Sequence, residues 1–110
     1  MSIYIANTAW VSGNAHVYDN AKVSGCACVF DHAQVGGNAL IKGIAVVSGD
    51  AWIIGSGIVS GNAYVFDHAK ISGNAQVSGN ALVYGIAIIE GDVIISFGRI
   101  HDIHWWRNVP

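Results

Sequence analysis

An aliphatic residue recurs at every sixth position from Ile5 to Ile95, and no residue is gained or lost between them. The period is plainest over residues 59–83, VSGNAYVFDHAKISGNAQVSGNALV. Each unit there runs aliphatic, variable, Gly or Asp, Asn or His, Ala, variable. A small residue sits two places before nearly every aliphatic one, with Gly57 and Val93 as the departures. An internal period of this kind constrains the fold before composition does.

Within a hexad, Ala and the following Val or Ile share one face of a short strand by period-two alternation. Next comes Gly or Asp, followed by Asn, His, Asp or Ser, residue types that tolerate positive φ. The chain is therefore expected to run straight and then turn, side after side. Three sides close a triangular coil of 18 residues, with successive coils about 4.8 Å apart. The register from Ile5 to Ile95 gives about five coils of an all-β parallel β-helix. An inserted residue would flip the facing of everything after it, so the unbroken spacing has a structural cause. A helical bundle is disfavoured, because a Gly in nearly every hexad would cost about 1 kcal/mol each time. A pentapeptide repeat fails on period.

Residues 1–8 enter the pattern late, with Ile3 and Ile5 in inward slots, and are expected to form a first, imperfect side that caps one end. Ile44 and Ile86 occupy turn slots in which positive φ is expected, so those two turns are predicted to deviate. After Ile95 neither hexads nor a helical period is visible in FGRIHDIHWWRNVP. The chain is thus divided into a β-helix domain, 1–96, and a tail, 97–110. The tail is expected to cover the open end or reach a neighbouring subunit, with Trp105 and Trp106 sealing a sheet end. Residues 11–25 also resemble 59–73, and 37–54 resemble 79–96, as if a half had been duplicated with one hexad lost.

The aliphatic-x-Gly-Asn-Ala-x hexads over residues 5–96 resemble the hexapeptide-repeat family. That resemblance implies a left-handed parallel β-helix; the handedness rests on it alone. The Gly-Asn-Ala-x-Val flavour is similar to small, regular bacterial and phage members called transferase-like. It implies a phage-encoded inhibitor of a host protein as one role, and acyl transfer from acetyl-CoA, the family's commonest activity, as another.

Only 11% of the 110 residues are charged and the net charge is −2, against about 25% charged in an ordinary domain. No basic cluster offers a nucleic-acid footprint. No apolar run reaches the roughly 20 residues of a membrane helix, and the start, MSIYIANTAW, lacks the pattern of a signal peptide. Cys26 and Cys28, two apart, suit a disulfide poorly. A reduced, cytoplasmic protein is expected.

Unrolling the coil distinguishes three faces. The first points Trp10 and Ser12, Cys28 and Phe30, Val46 and Ser48, Tyr64 and Phe66, and Leu82 and Tyr84 outward, with no charge among them. The other two carry His16, Lys70 and Glu90, and Lys22 and Lys42. An apolar patch of this extent exceeds the few hundred Å² usual on a monomer, and its aromatics suit interface anchors. This face is expected to be buried by a second or third copy, by another protein, or by the returning tail.

One corner collects chemistry. Asn14, His32, Asp50, His68 and Ile86 share a turn slot in successive coils, with Asp31 and Asp67 just before the histidines. Regular stacking puts Asp50 about 5 Å from both His32 and His68, where it could orient either imidazole as an acid or base. The plainer role is that Asn, Asp and His suit a positive-φ slot. No metal is expected. His32 and His68 are two coils apart, and the closely spaced His pair of the γ-class carbonic anhydrases within the family is missing, with Gly73 after His68. Zinc wants three or four placed ligands. His101, Asp102 and His104 form a loose tail cluster, read as solvated.

The resemblance implies, for an acyltransferase, a catalytic His near an interface and an inserted loop. This chain has no such loop and few basic groups for the cofactor's phosphates. The favoured expectation is a non-catalytic binding or scaffold protein without a cofactor, associating with itself and with another protein. The alternative is a minimal acetyl-CoA-dependent acyltransferase with His32 or His68 as base. Ice binding is a third, poorly supported because regular Thr-x-Thr ladders are missing.

Overall fold

The structure, a computed structural model, describes residues 4–101 together with 104 and 105, with Tyr4, His104 and Trp105 described through their backbone alone. Short strands succeed one another around a triangle. In chain order they are β1 Tyr4–Ile5, β2 Trp10–Val11, β3 His16–Val17, β4 Lys22–Val23, β5 Cys28–Val29 and β6 Gln34–Val35. There follow β7 Leu40–Ile41, β8 Val46–Val47, β9 Trp52–Ile53, β10 Ile58–Val59, β11 Tyr64–Val65 and β12 Lys70–Ile71. The last are β13 Gln76–Val77, β14 Leu82–Tyr84, β15 Ile88–Ile89, β16 Ile94–Ile95, β17 Arg99–His101 and β18 His104–Trp105.

Every third strand is a neighbour. The three parallel sheets run β1-β4-β7-β10-β13-β16, β2-β5-β8-β11-β14-β17 and β3-β6-β9-β12-β15-β18. Partners are three hexads apart throughout the regular part, as in Tyr4↔Lys22 and Gln76↔Ile94. The chain is a parallel β-solenoid of about five triangular turns, measuring 38 × 22 × 21 Å.

Ala and Val or Ile alternate down the interior. From Ala21 to Ile89 the inward aliphatic residues, such as Val23, Ile41, Ile53 and Val83, are completely buried, and among the described residues no polar side chain shares the core. Each Val or Ile so placed stabilises the stack by about 1.5–3 kcal/mol. The first coil is different: Ile5 is 42% exposed and Val11 and Val17 are half-buried. The described part of residues 1–8 thus adds an edge strand, in register, without capping the interior. Ile3 lies outside the described residues.

The corners differ from expectation in one respect. Within the hexads, positive φ occurs only at the first turn residue: Gly13, Gly25 and their equivalents, with Asp19, Asp31 and Asp67 the non-glycine cases. The turn closes by a bond from the Ala amide to the residue three before it, as in Ala15 to Ser12 at 3.3 Å. Positive φ at the first central position alone is the type II′ pattern, common in tight β turns. The second position carries no such demand. Ile44 and Ile86 therefore sit in ordinary turns, contrary to the predicted deviation, and Ile44 donates its amide to Gly61 at 2.9 Å as its counterparts do. Close stacking is what keeps most first positions glycine. A Cβ on Gly25 would lie 2.8 Å from the backbone oxygen of Gly43, one coil on.

The tail also departs from expectation. The coil does not stop at Ile95. Arg99–His101 pairs with Leu82–Tyr84, and His104–Trp105 with Ile88–Ile89, so both remain in the sheets. The offset between partners shortens by one position at Val83↔Ile100 and by a second at Ile89↔Trp105. Each of these last two sides is one residue shorter than a hexad, which erases the period from the sequence while the coil continues. Arg99–His101 covers the end of one sheet, and Ile100 packs on the core half-buried. Trp106 and the side chain of Trp105 lie outside the described residues.

Candidate functional site

The sheet of β2, β5, β8, β11, β14 and β17 carries the apolar face. Trp10 is 66% and Tyr64 46% exposed, while Cys28, Phe30, Val46, Phe66, Leu82 and Tyr84 are half-buried. Register makes the outward residues two columns, because one full coil returns the chain to the same place. In one column the rings stack. Phe66 and Tyr84 are 5.2 Å apart and 7° from parallel, and Tyr84 and His101 are 5.0 Å apart and inclined by 24°. Tyr64 meets Phe66 edge-on, at 6.5 Å and 88°. Aromatic pairs of these geometries add about 0.5–1.5 kcal/mol each beyond burial.

His101 belongs to this ladder, which the sequence did not reveal because the shortened last coil hid its register. Arg99 heads the other column at the same end. The sixth strand thus adds a cation to a face expected to be uncharged. The described tail continues the sheets and does not fold back across this face.

The other faces are more polar. Lys70 Nζ lies 5.0 Å from the centroid of the Trp52 ring, a cation–π contact one coil apart. Tyr18 lies over Gly36, where an added Cβ would fall 2.2 Å from its ring.

The polar corner is built differently from the expected chain of three. His68 Nδ1 is 3.4 Å from Asp50 Oδ2, with side chains 67% and 50% exposed. His32 pairs with Asn14, Nδ2 to Nδ1, at 3.4 Å. Among the described residues no hydrogen bond or ion pair joins His32 to Asp50, so Asp50 is not shared between two imidazoles. The other corners carry the same device: Asn20 donates to Asn38 and Asn62 to Asn80, both at 3.2 Å, and Asn74 donates to Asp92 at 3.3 Å. These side-chain ladders give the second turn position its composition, now that positive φ cannot. Asp31 and Asp67 act separately, accepting the amides of Gly49 and Gly85, one coil on, at 3.2 Å. Asp19 accepts from Gly37 at 3.4 Å.

Among the described residues no group of three or more His, Cys, Asp or Glu side chains could hold a metal ion. Cys26 is exposed and Cys28 half-buried, both as free thiols. Among the described residues no helix is long and apolar enough to cross a membrane.

Comparison with known proteins agrees with the architecture. The YdcK Beta solenoid repeat family matches residues 75–91, about one coil of this chain. No curated protein and no solved structure matches the chain.

Proposed function

We propose that this is a non-catalytic β-solenoid of the hexapeptide-repeat kind, working in the cytoplasm as a binding or scaffold protein through protein–protein contacts. The observation carrying this is the aromatic face: Tyr64 stands exposed beside a stacked Phe66–Tyr84–His101 ladder, and Trp10 stands exposed at the other end of the same sheet. Rigid aromatics lose little conformational freedom on contact and anchor interfaces. A phage-encoded inhibitor of a host protein fits such a surface and rests on the sequence resemblance.

Hydroxyl-radical footprinting of the native protein tests it. In the isolated chain Trp10 and Tyr64 are more exposed than Trp52, which is 36% exposed. In the working assembly Trp10 and Tyr64 are expected to be protected and Trp52 to react. Reactivity in the order of isolated-chain exposure would overturn a contact role for this face.

The Asp50–His68 pair favours one second function, acyl transfer from acetyl-CoA with His68 as base. Calorimetric titration with acetyl-CoA distinguishes the two. No saturable heat is expected, and clear saturation would favour the enzyme.

A further inference from the structure

The apolar face is not uniform along the coil axis, and its gradient specifies a partner. Its six strands divide into two halves. On β2, β5 and β8 the small residues Ser12, Cys28, Val46 and Ser48 leave the surface low, relieved by Trp10 and Phe30. On β11, β14 and β17 a ridge stands up: Tyr64, Phe66, Leu82, Tyr84 and His101. The low half and the ridge each span three strands.

We propose that this face binds a second copy of the chain with the coil axes antiparallel, about a two-fold axis that runs along the strands between β8 and β11. This rests on the face being a contact surface, and names what it contacts. The two-fold operation keeps position along the strand and exchanges the coils. Val46 then meets the partner's Tyr64, Ser48 its Phe66, and Cys28 its Leu82. Small faces large at these three contacts, while Phe30 meets the partner's Tyr84 ring on ring. At the outer ends Trp10 meets the partner's Arg99, bringing a formal charge against an exposed indole, a favourable cation–π arrangement. The interface is isologous, with each contact made twice.

The alternative pairing, with coil axes parallel, is disfavoured by the same side chains. It would match large with small only at Trp10 on Ser12 and Phe30 on Cys28, setting Tyr64 on Phe66 and Leu82 on Tyr84 while Val46 and Ser48 left a gap. Arg99 would face His101 instead of an indole.

Area agrees. Six strands about 4.8 Å apart on a solenoid 22 Å across give a face of roughly 550 Å² in projection. Two copies bury about 1,100 Å² before side-chain relief is added, near the roughly 1,200 Å² at which stable interfaces begin.

Sedimentation equilibrium of the full chain tests the partner. A dimer is expected at micromolar concentration, and Val46→Asp, which alters an outward position and no core slot, is expected to weaken it about 100-fold or more. The variant's far-ultraviolet circular dichroism and melting as a monomer show that it folds. Orientation is tested in a Cys26→Ser, Cys28→Ser background. Ser12→Cys with His101→Cys, at opposite ends of one chain, should give a disulfide-linked dimer under mild oxidation, and neither change alone should. A wild-type monomer or trimer, or a folded Val46→Asp variant that dimerises unchanged, overturns the proposal. So does cross-linking by Trp10→Cys with Ser12→Cys where the first pair fails. A wild-type monomer whose Trp10 and Tyr64 are still protected in its native assembly would remove the second copy and leave the contact role intact.

Discussion

At the first position of a turn, aspartate does two things that glycine cannot do together. Asp67 adopts a φ of 59° and accepts the Gly85 amide of the next coil at 3.2 Å. Asp67→Ala keeps the left-handed backbone without the acceptor and is expected to lose about 1–2 kcal/mol. Asp67→Gly also loses the acceptor but relieves the backbone, and should cost less than half as much. Urea midpoints of the three proteins check the order. The second position behaves otherwise. Ile86 is 65% exposed and has no positive φ, so Ile86→Asn is expected to change stability by no more than about 0.5 kcal/mol. A large stabilisation would mean that the turn is strained after all. The sequence showed which residues point inward, because Ala and Val cannot alternate at period six for any other evident reason. It did not show which turn residue is left-handed, since Gly-Asn, Asp-His and Gly-Ile fit several turn types and only the backbone angles separate them. The Asp50–His68 contact was legible as a neighbourhood. The division into Asn14–His32 and Asp50–His68 was not, because rotamers choose the partner.

At the scale of strands, the end of the solenoid was the least legible part. Ile100 and Trp105 occupy the register positions of Val83 and Ile89, but each arrives ahead of the sixfold count that runs up to Ile95. A search for sixes cannot see them. Hydrogen bonding reveals the change: Leu82 donates to Gly98 at 2.9 Å, one position earlier in the partner coil than the Trp10-to-Ala27 bond implies. These strands bury the edge of β14 and β15 and hold Ile100 against the core. Deletion of residues 97–110 is therefore expected to lower unfolding free energy by about 2–4 kcal/mol, from Ile100 burial and lost ladder bonds. Hydrogen exchange should localise the loss to the amides of the last remaining coil, with little change at Val23 or Val29. Uniform exchange would contradict the nearest-neighbour character of the stack.

At the scale of the molecule, three faces share one core and differ in what they present. Lysines and Glu90 occupy two of them, and the aromatic ladder occupies the third. The internal sequence similarity sharpens this contrast. Segments 11–25 and 59–73 are offset by eight hexads, which is not a whole number of three-sided coils. Similar sequences therefore face different directions: Tyr18 lies over Gly36 on one face, while Phe66 stacks on Tyr84 on another. The repeated sequence thus extends the core without extending any single surface.

The axial stacking of the coils also defines a mechanical unit. Pulling on the two ends loads the terminal strands one after another, so their hydrogen bonds open in sequence and are not sheared together. Each released coil frees about 18 residues, lengthening the tether by about 55–60 Å, at roughly 3.3–3.6 Å per residue less the ~4.8 Å the folded coil already spans. In an optical trap the chain should yield in a ladder of such steps, beginning at the open first coil, where Ile5 is least protected. A single rupture spanning the whole contour would show that the coils are coupled more tightly than their neighbour contacts imply.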